Sequence, residues 1–387
     1  MRYNYGLPKI IKRELTMTDE LVAVLDQEAR PTDAEGKWPE RCVKILAESG
    51  LMGLTMPADA GGGGSGMRKF AEVTETIAEH CASTAMIYLM HVCGAQVIAA
   101  SSSPRRNYLV KQIASGRAVA TLAFSEKGSR SHFWAPVSRA SRNSRGVVLN
   151  CDKSFVTSAG HADYYVVSSG SLDGKTVMDS TLYLVEKNTP GIEWSGAWNG
   201  VGLRGNASSA MLIRKCHLDE SARLTNEGEG FKAMMEIALP WFQVGSSAVS
   251  IGIAEAAFAS TVAHTASARF EHLNETLASS IPGIRARLAR MRLTLDSARA
   301  YLDHTLTRIE KGSADTMLFV LGSKAIAAET GLTVTDEAMR ACGGAAFSRD
   351  LSIERNFRDA RAASIMAPTT DGLYDFIGKA LVGLPLF

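Results

Sequence analysis

Cysteine is scarce: the 387 residues carry six, Cys42, Cys81, Cys93, Cys151, Cys216 and Cys342, with no C-x-x-C pair and no metal-ligand spacing to the eight histidines. That pattern excludes a disulfide framework and offers no metal site. It predicts reduced, buried thiols in a cytoplasmic protein. Charge of one sign is missing as well. The formal net charge is +2, and Lys and Arg are scattered without a dense basic block, which argues against a nucleic-acid groove or a polybasic membrane anchor. The opening stretch MRYNYGLPKIIKRELTMTDEL has no apolar core of a signal peptide. A charge-free stretch, IALPWFQVGSSAVSIGIA (237–254), has about the length of a short span. It is rich in Gly and Ser and opens around a proline, so it is expected to be a buried helix and not a membrane crossing.

What is present is an ordinary globular composition, 46% hydrophobic and 21% charged, on a chain long enough for two or three cores. Apolar residues recur at three- and four-residue steps through DELVAVLDQEA, PERCVKILAESGLMGL and RKFAEVTETIAEHCASTAMIYLMHVCGAQVIAA, which predicts helices. The period moves toward two in AVATLAF, GVVLNCDKSFVT, DYYVVSSG, STLYLVEK and SSAMLIRKCHL, with Gly, Asn and Ser-Asp punctuation between them. Long helical patterns rich in small residues return from about 228, as in closely packed bundles. The expected organisation is a helical domain (1–118), a central antiparallel-type β domain (119–225) and a helical bundle (226–387). Strand and helix do not alternate, so a Rossmann reading is weak. The glycine run AGGGGSGMRK (60–69) has P-loop spacing between Gly61 and Gly66, but Met67 and Arg68 stand where Lys and Ser/Thr are needed. A turn is expected there.

Six stretches then converge, in order and spacing, on one pattern: GLMGLTMPADAGGGGSG, LAFSEKGSRSH, KSFVTSAGHADYYVV, GLRGNASSAMLIRKCHL, NEGEGFKAMM and MRACGGAAFSRDLSIERNFRDARAASIMAPT. Together they resemble the acyl-CoA dehydrogenase family of flavoproteins over essentially the whole chain. The resemblance implies a mostly α fold with a central β-barrel-like domain and a C-terminal four-helix bundle. It also implies an FAD-dependent oxidoreductase acting on acyl-CoA, and a homotetramer or homodimer with FAD contacted across the bundle interface.

Carried over residue by residue, the flavin-facing T-E-P-G-x-G-S-D stretch becomes Ser125 to His132. Ser125 and Ser131 keep its hydroxyls, while Lys127, Arg130 and His132 make the loop basic and are the candidate substrate-binding cations. The W-I-T-N strand becomes Phe155 to Ser158, with Phe155 and Thr157 as the expected flavin contacts. The Q-x-x-G-G-x-G turn becomes Arg340 to Ala346, with Arg340, Gly343 and Gly344 as pyrophosphate contacts, joined by Arg269. The I-Y-E-G-T motif, whose Glu removes the α-proton in most of the family, reads Ile365, Met366, Ala367, Pro368, Thr369. A methyl group accepts no proton, although the Ala367 N–H remains for the thioester oxygen. The base position used by other members, on an earlier bundle helix, falls at Phe242, followed by Gln243; Glu236 reaches that face only with a shifted alignment. Asp371, one helical turn beyond Ala367, and His91, on a helix expected to line the acyl pocket, are the two candidate relocated bases, with His132 a third. The alternatives are a flavin-dependent monooxygenase of the same fold on a non-CoA substrate, and a flavoprotein without activity.

Overall fold

The computed structural model describes residues 17–130, 132–144 and 146–386. The predicted Ser131 contact and the reading of residues 1–16 lie outside them. The described residues open with five helices, α1 (Asp19–Glu35), α2 (Glu40–Glu48), α3 (Met67–His80), α4 (Ala82–Ala99) and α5 (Arg106–Ala114). Thr18 starts α1 by accepting the Leu21 N–H, and Gly36 ends it in the left-handed region at φ 63°. The glycine run forms a turn ahead of α3, preceded by short 3-10 segments and by no strand.

Seven strands follow among the described residues: β1 (Ala120–Ala123), β2 (Ser141–Asn143), β3 (Gly146–Val156), β4 (Tyr164–Gly170), β5 (Ser180–Glu186), β6 (Ile192–Ser195) and β7 (Ser209–Leu218). They form a three-stranded sheet in the order β1-β4-β5 and a four-stranded antiparallel sheet in the order β2-β3-β7-β6. The expectation of antiparallel pairing throughout fails at β1, which lies parallel to β4. The connection from β1 to β4 runs through the other sheet and is long enough for a parallel partner. A bulge between Lys153 and Val156 on β3 interrupts its pairing with β7 and bends the strand end carrying Ser154 and Phe155 out of the ladder.

The last third holds α6 (Gly230–Ala233), a π-helical turn (Met234–Ala238) and α7 (Leu239–Ser267), then a small hairpin of β8 (Arg269–Phe270) and β9 (Glu275–Thr276). It continues with α8 (Leu277–Ser280), α9 (Pro282–Lys311), α10 (Thr316–Cys342), α11 (Gly344–Phe347), α12 (Ile353–Ile365) and α13 (Thr370–Leu381). Pro240 offers no N–H and would press on the carbonyl four residues back, and the wider turn just before it relieves both conflicts.

The two helical zones, separate in sequence, share one apolar core, which one face of the β1-β4-β5 sheet joins through Leu122, Val166 and Leu184, while a second core lies inside the β domain. Close approach of α7 to α3 depends on small residues: a Cβ at Gly252 would sit 2.3 Å from the Glu75 carbonyl oxygen. Three helices, Ala82–Ala99, the Gly230–Ser267 run and Thr316–Cys342, are long and apolar enough to cross a membrane, and most of each apolar window is buried inside the protein.

Candidate active site

A cavity of about 740 Å³ opens where the β domain meets α4, α7 and α12. Met86 and Met90, one helical turn apart on α4, form one wall. The bulged end of β3 supplies Ser154, Phe155 and Thr157, the 198–208 loop closes one side, and Ala238, Leu239 and Phe242 enter from the π turn and the start of α7. Arg358, Arg361 and Ile365 of α12 and the following Met366 and Ala367 complete the lining.

Of the predicted flavin contacts, Ser125, Phe155 and Thr157 all face this cavity. Phe155 is 68% exposed and rests edge-on against Trp198, 5.4 Å between ring centres. An aromatic ring left bare inside a concavity is unfavourable in water, and a planar heteroaromatic ligand would cover it. The Thr157 and Ser208 hydroxyls lie 3.0 Å apart; that contact uses one proton of two, so one O–H is left for a ligand. These features fit a flavin ring.

Arg269, Arg340, Gly343 and Gly344 do not reach the cavity. Arg269 is exposed and donates to the Asn274 side-chain oxygen at 2.7 Å. Arg340 lies beside Asp336 and Glu337 on the outer face of α10. Gly343 ends α10 at φ 56° and ψ −133°, with open space where a Cβ would be. Lys324, the α10 residue whose side chain reaches the Met366 carbonyl beside the cavity, lies nineteen positions before Gly343, about 28 Å along the axis, so the turn lies far from this chain's own cavity.

Two candidate bases are corrected. His91 is fully buried, with one ring nitrogen 2.8 Å from the Met52 carbonyl oxygen and the other accepting the Ala120 N–H at 3.1 Å. Burial pulls its pKa down to about 4, so it is a neutral core histidine with both nitrogens occupied. It follows Met90 by one residue and therefore turns about 100° away from the face that meets the cavity. Asp371 is exposed in the first turn of α13 and contributes nothing to the cavity wall, because Thr369 caps the new helix and Pro368 redirects the chain before it. Of the basic loop, Lys127 and Arg130 stand at the cavity wall. His132 stacks on Trp134 and faces a neighbouring basin of about 510 Å³ with Arg139 and Lys175. Gly128 borders both spaces.

Among the described residues the single carboxylate in the cavity wall is Glu126, and it is fully engaged. It accepts from Lys153 Nζ at 2.7 Å, from the Val137 and Ser138 N–H groups and from the Ser138 hydroxyl. Lys153, also buried, donates further to the Phe124 and Ser168 carbonyls. Four donors therefore occupy its two oxygens.

Three elements of the site escape the sequence patterns. Glu126 and Lys153 are 27 residues apart and meet only through sheet pairing. Asp359, buried on α12, accepts the Leu203 N–H at 2.6 Å and so ties down the loop that lines the cavity; burial pushes its carboxyl up to about 6. Its neighbour Arg358 grips Asp33 of α1 with two bonds of 2.9 and 2.7 Å and donates to the Val201 carbonyl. Lys324, also fully buried, donates to the Met366 carbonyl at 2.8 Å and the Pro368 carbonyl at 2.5 Å. Burial lowers its pKa to about 7. A lone lysine inside the apolar run LFVLGSKAIAA is the one signal in the sequence that marks it.

Three helical and β layers around such a cavity define a flavoprotein oxidoreductase architecture, and the comparisons with known proteins agree. The acyl-CoA dehydrogenase N-terminal, middle and C-terminal domain models match residues 14–117, 121–216 and 228–382 in turn. The chain belongs to the acyl-CoA dehydrogenase family and is an FAD-dependent oxidoreductase. It is 26% identical over 352 residues to the cyclohex-1-ene-1-carbonyl-CoA dehydrogenase of Geobacter metallireducens, covering 90% of this chain and 92% of that one. Butyryl-CoA dehydrogenase from Megasphaera elsdenii shares the fold at a TM-score of 0.86 and 22% identity, covering 95% of this chain and 99% of that one. An FAD complex of PigA does so at 0.86 and 20%, covering 94% of each.

Proposed function

We propose that this enzyme acts on an acyl thioester and removes the α-proton without a protein carboxylate. The observation that carries this reading is Ala367, which lines the cavity with an N–H that engages no acceptor among the described residues, while the one wall carboxylate, Glu126, is tied to Lys153. A free backbone donor in a largely apolar cavity suits a thioester oxygen, and hydrogen bonding there makes the α-proton more acidic. FAD, when bound, supplies the acceptor for the β-hydride. Ser125 and the Thr157–Ser208 hydroxyl pair would hold the flavin, and Met86, Met90 and Phe242 would exclude water from the acyl chain. The α-proton passes to a basic group that the substrate itself carries.

The cations support an anionic carrier. Lys127 and Arg130 stand at the cavity, and Arg139, Lys175 and His132 stand in the adjoining basin, a disposition that suits the phosphates of CoA. The exposed Gly343–Gly344 turn and Arg340, remote from this chain's cavity, support a homotetramer or homodimer in which they meet the FAD of another copy. Six buried free thiols support a cytoplasmic location. A second reading, a flavin-dependent monooxygenase on a small anionic substrate, is favoured by the same absence of a free cavity carboxylate.

Anaerobic addition of an acyl-CoA panel to the purified holoprotein, read at the flavin band near roughly 450 nm, tests the proposal. Bleaching by a thioester supports it. A flavin that no thioester bleaches, with substrate-dependent oxygen consumption once reduced, overturns it in favour of the monooxygenase.

A further inference from the structure

Lys324 is the buried cation for which the flavin and thioester contacts give no account. Lys153, the other fully buried lysine, has Glu126 as counter-ion. Lys324 has only neutral partners in its hydrogen bonds, and desolvation alone accounts for its lowered pKa. It rises from α10 behind the cavity wall. Its Nζ lies 5.8 Å from the centre of the Phe242 ring, and Phe242 and Ala367 are both part of the lining. Holding a cation in such a place is costly, so its position calls for a reason.

The reason lies in the peptide unit. Lys324 donates to the carbonyls of Met366 and Pro368, on either side of Ala367. The Met366 carbonyl and the Ala367 N–H belong to one peptide, which is trans. In a planar trans peptide these two groups point in opposite directions. Drawing the carbonyl back toward α10 therefore turns the N–H forward, into the cavity. The same bond polarises the peptide, and a polarised peptide is a stronger donor at its N–H end.

We infer that Lys324 is a positioning residue that aims and polarises the Ala367 N–H as the donor to the substrate's carbonyl oxygen. The inference rests on the thioester reading above and deepens it. It gives a role to the two carbonyl anchors on either side of a residue whose side chain is only a methyl group. The carboxylate of the family's base is dispensable to this device, since the backbone and the lysine together form the electrostatic half of the site.

The test uses the FAD-loaded holoenzyme at pH 6, where Lys324 is protonated, and compares wild type with Lys324→Met. The probes are enoyl-CoA thioesters (crotonyl-, hexenoyl- and cyclohexenecarbonyl-CoA, 13C-labelled at the carbonyl) and the matching S-alkyl-CoA thioethers, which lack the carbonyl oxygen. Wild type is expected to shift the carbonyl 13C resonance of the tightest-binding thioester and to bind it more strongly than its thioether. Lys324→Met should weaken thioester binding about three- to tenfold, the effect of a 10–30% weaker donor in a dry site, move the resonance back toward its free value, and leave thioether binding unchanged. Equal weakening of thioester and thioether, or an unaltered resonance in the variant, overturns the positioning role while leaving the thioester reading intact. Failure of wild type to bind any thioester overturns both. Should Lys324→Met not fold, Lys324→Leu, which likewise removes the donor to both carbonyls, carries the same comparison with the same outcomes.

Discussion

Asp359 gives a stability prediction that can be worked through from the structure. Its carboxyl is 3% exposed, holds the Leu203 N–H at 2.6 Å, and is pushed from an ordinary 3.8 up to about 6, burial being the largest cause and the Leu203 bond opposing it. A group whose folded pKa is raised favours folding while protonated. The contribution is complete below about pH 4 and is lost as pH rises through about 6. A shift of roughly two units corresponds to about 3 kcal/mol between those limits. Asp359→Asn keeps an oxygen for Leu203 and removes the charge, so it should lack this loss. Melting temperatures of both proteins, at fixed concentration and with FAD in excess, are followed from pH 4 to 8. A chain of this size moves by roughly 1–2 °C per kcal/mol. The variant's melting temperature relative to wild type should therefore climb by about 3–6 °C between pH 4 and 6 and stay level above. Only the slope of that difference is diagnostic, because the new NH2 group near Arg355 and Arg358 adds a constant offset. A difference that does not change with pH would refute the reasoning.

Four further outcomes follow from the same contacts. His91→Ala should cost about 3–5 kcal/mol of stability by leaving a cavity and stranding the Met52 carbonyl and Ala120 N–H, yet leave the pH profile of turnover unchanged above pH 5; a shifted profile would restore His91 to the chemistry. Asp371→Asn, on an exposed first helical turn, should leave steady-state turnover on the true substrate at the wild-type level, and a hundredfold drop would return Asp371 to candidacy. Glu126→Gln should destabilise the β domain by about 3–5 kcal/mol, since Lys153 is left buried without its counter-ion; denaturant melts of the holoprotein check this, and a neutral result contradicts it. On the reading that Pro368 and the basic loop reshape the site, Ala367→Glu should not create a general acyl-CoA dehydrogenase; robust turnover of a straight-chain acyl-CoA in that variant would count against a remodelled pocket.

The site was partly legible in the chain. Ser125, Phe155, Thr157 and Ala367 meet in one cavity, and all four were marked by local motifs, because each lies in a short segment whose backbone carries out a local task. His91 and Asp371 depart from expectation for one reason: spacing along a helix tells which residues share a face but not which neighbour that face meets. His91 lies one position past Met90 and turns inward to Met52, and Asp371 lies beyond the redirecting Pro368 and turns to solvent.

Periodicity and punctuation by themselves determined the helix–strand–helix order, since amphipathic period and turn chemistry act within a few residues. Residue identity alone also determined that no carboxylate stands at positions 242 or 367. Only the tertiary structure decided that the outer helical zones share one core, that β1 runs parallel to β4, that Glu126 is used up by Lys153, and that Lys324 stands behind Ala367. Each of these joins residues distant in sequence, 42 apart for Lys324 and Met366. The energies that fix them, burial of charge and pairing of backbone donors, depend on which surfaces meet and not on any local pattern.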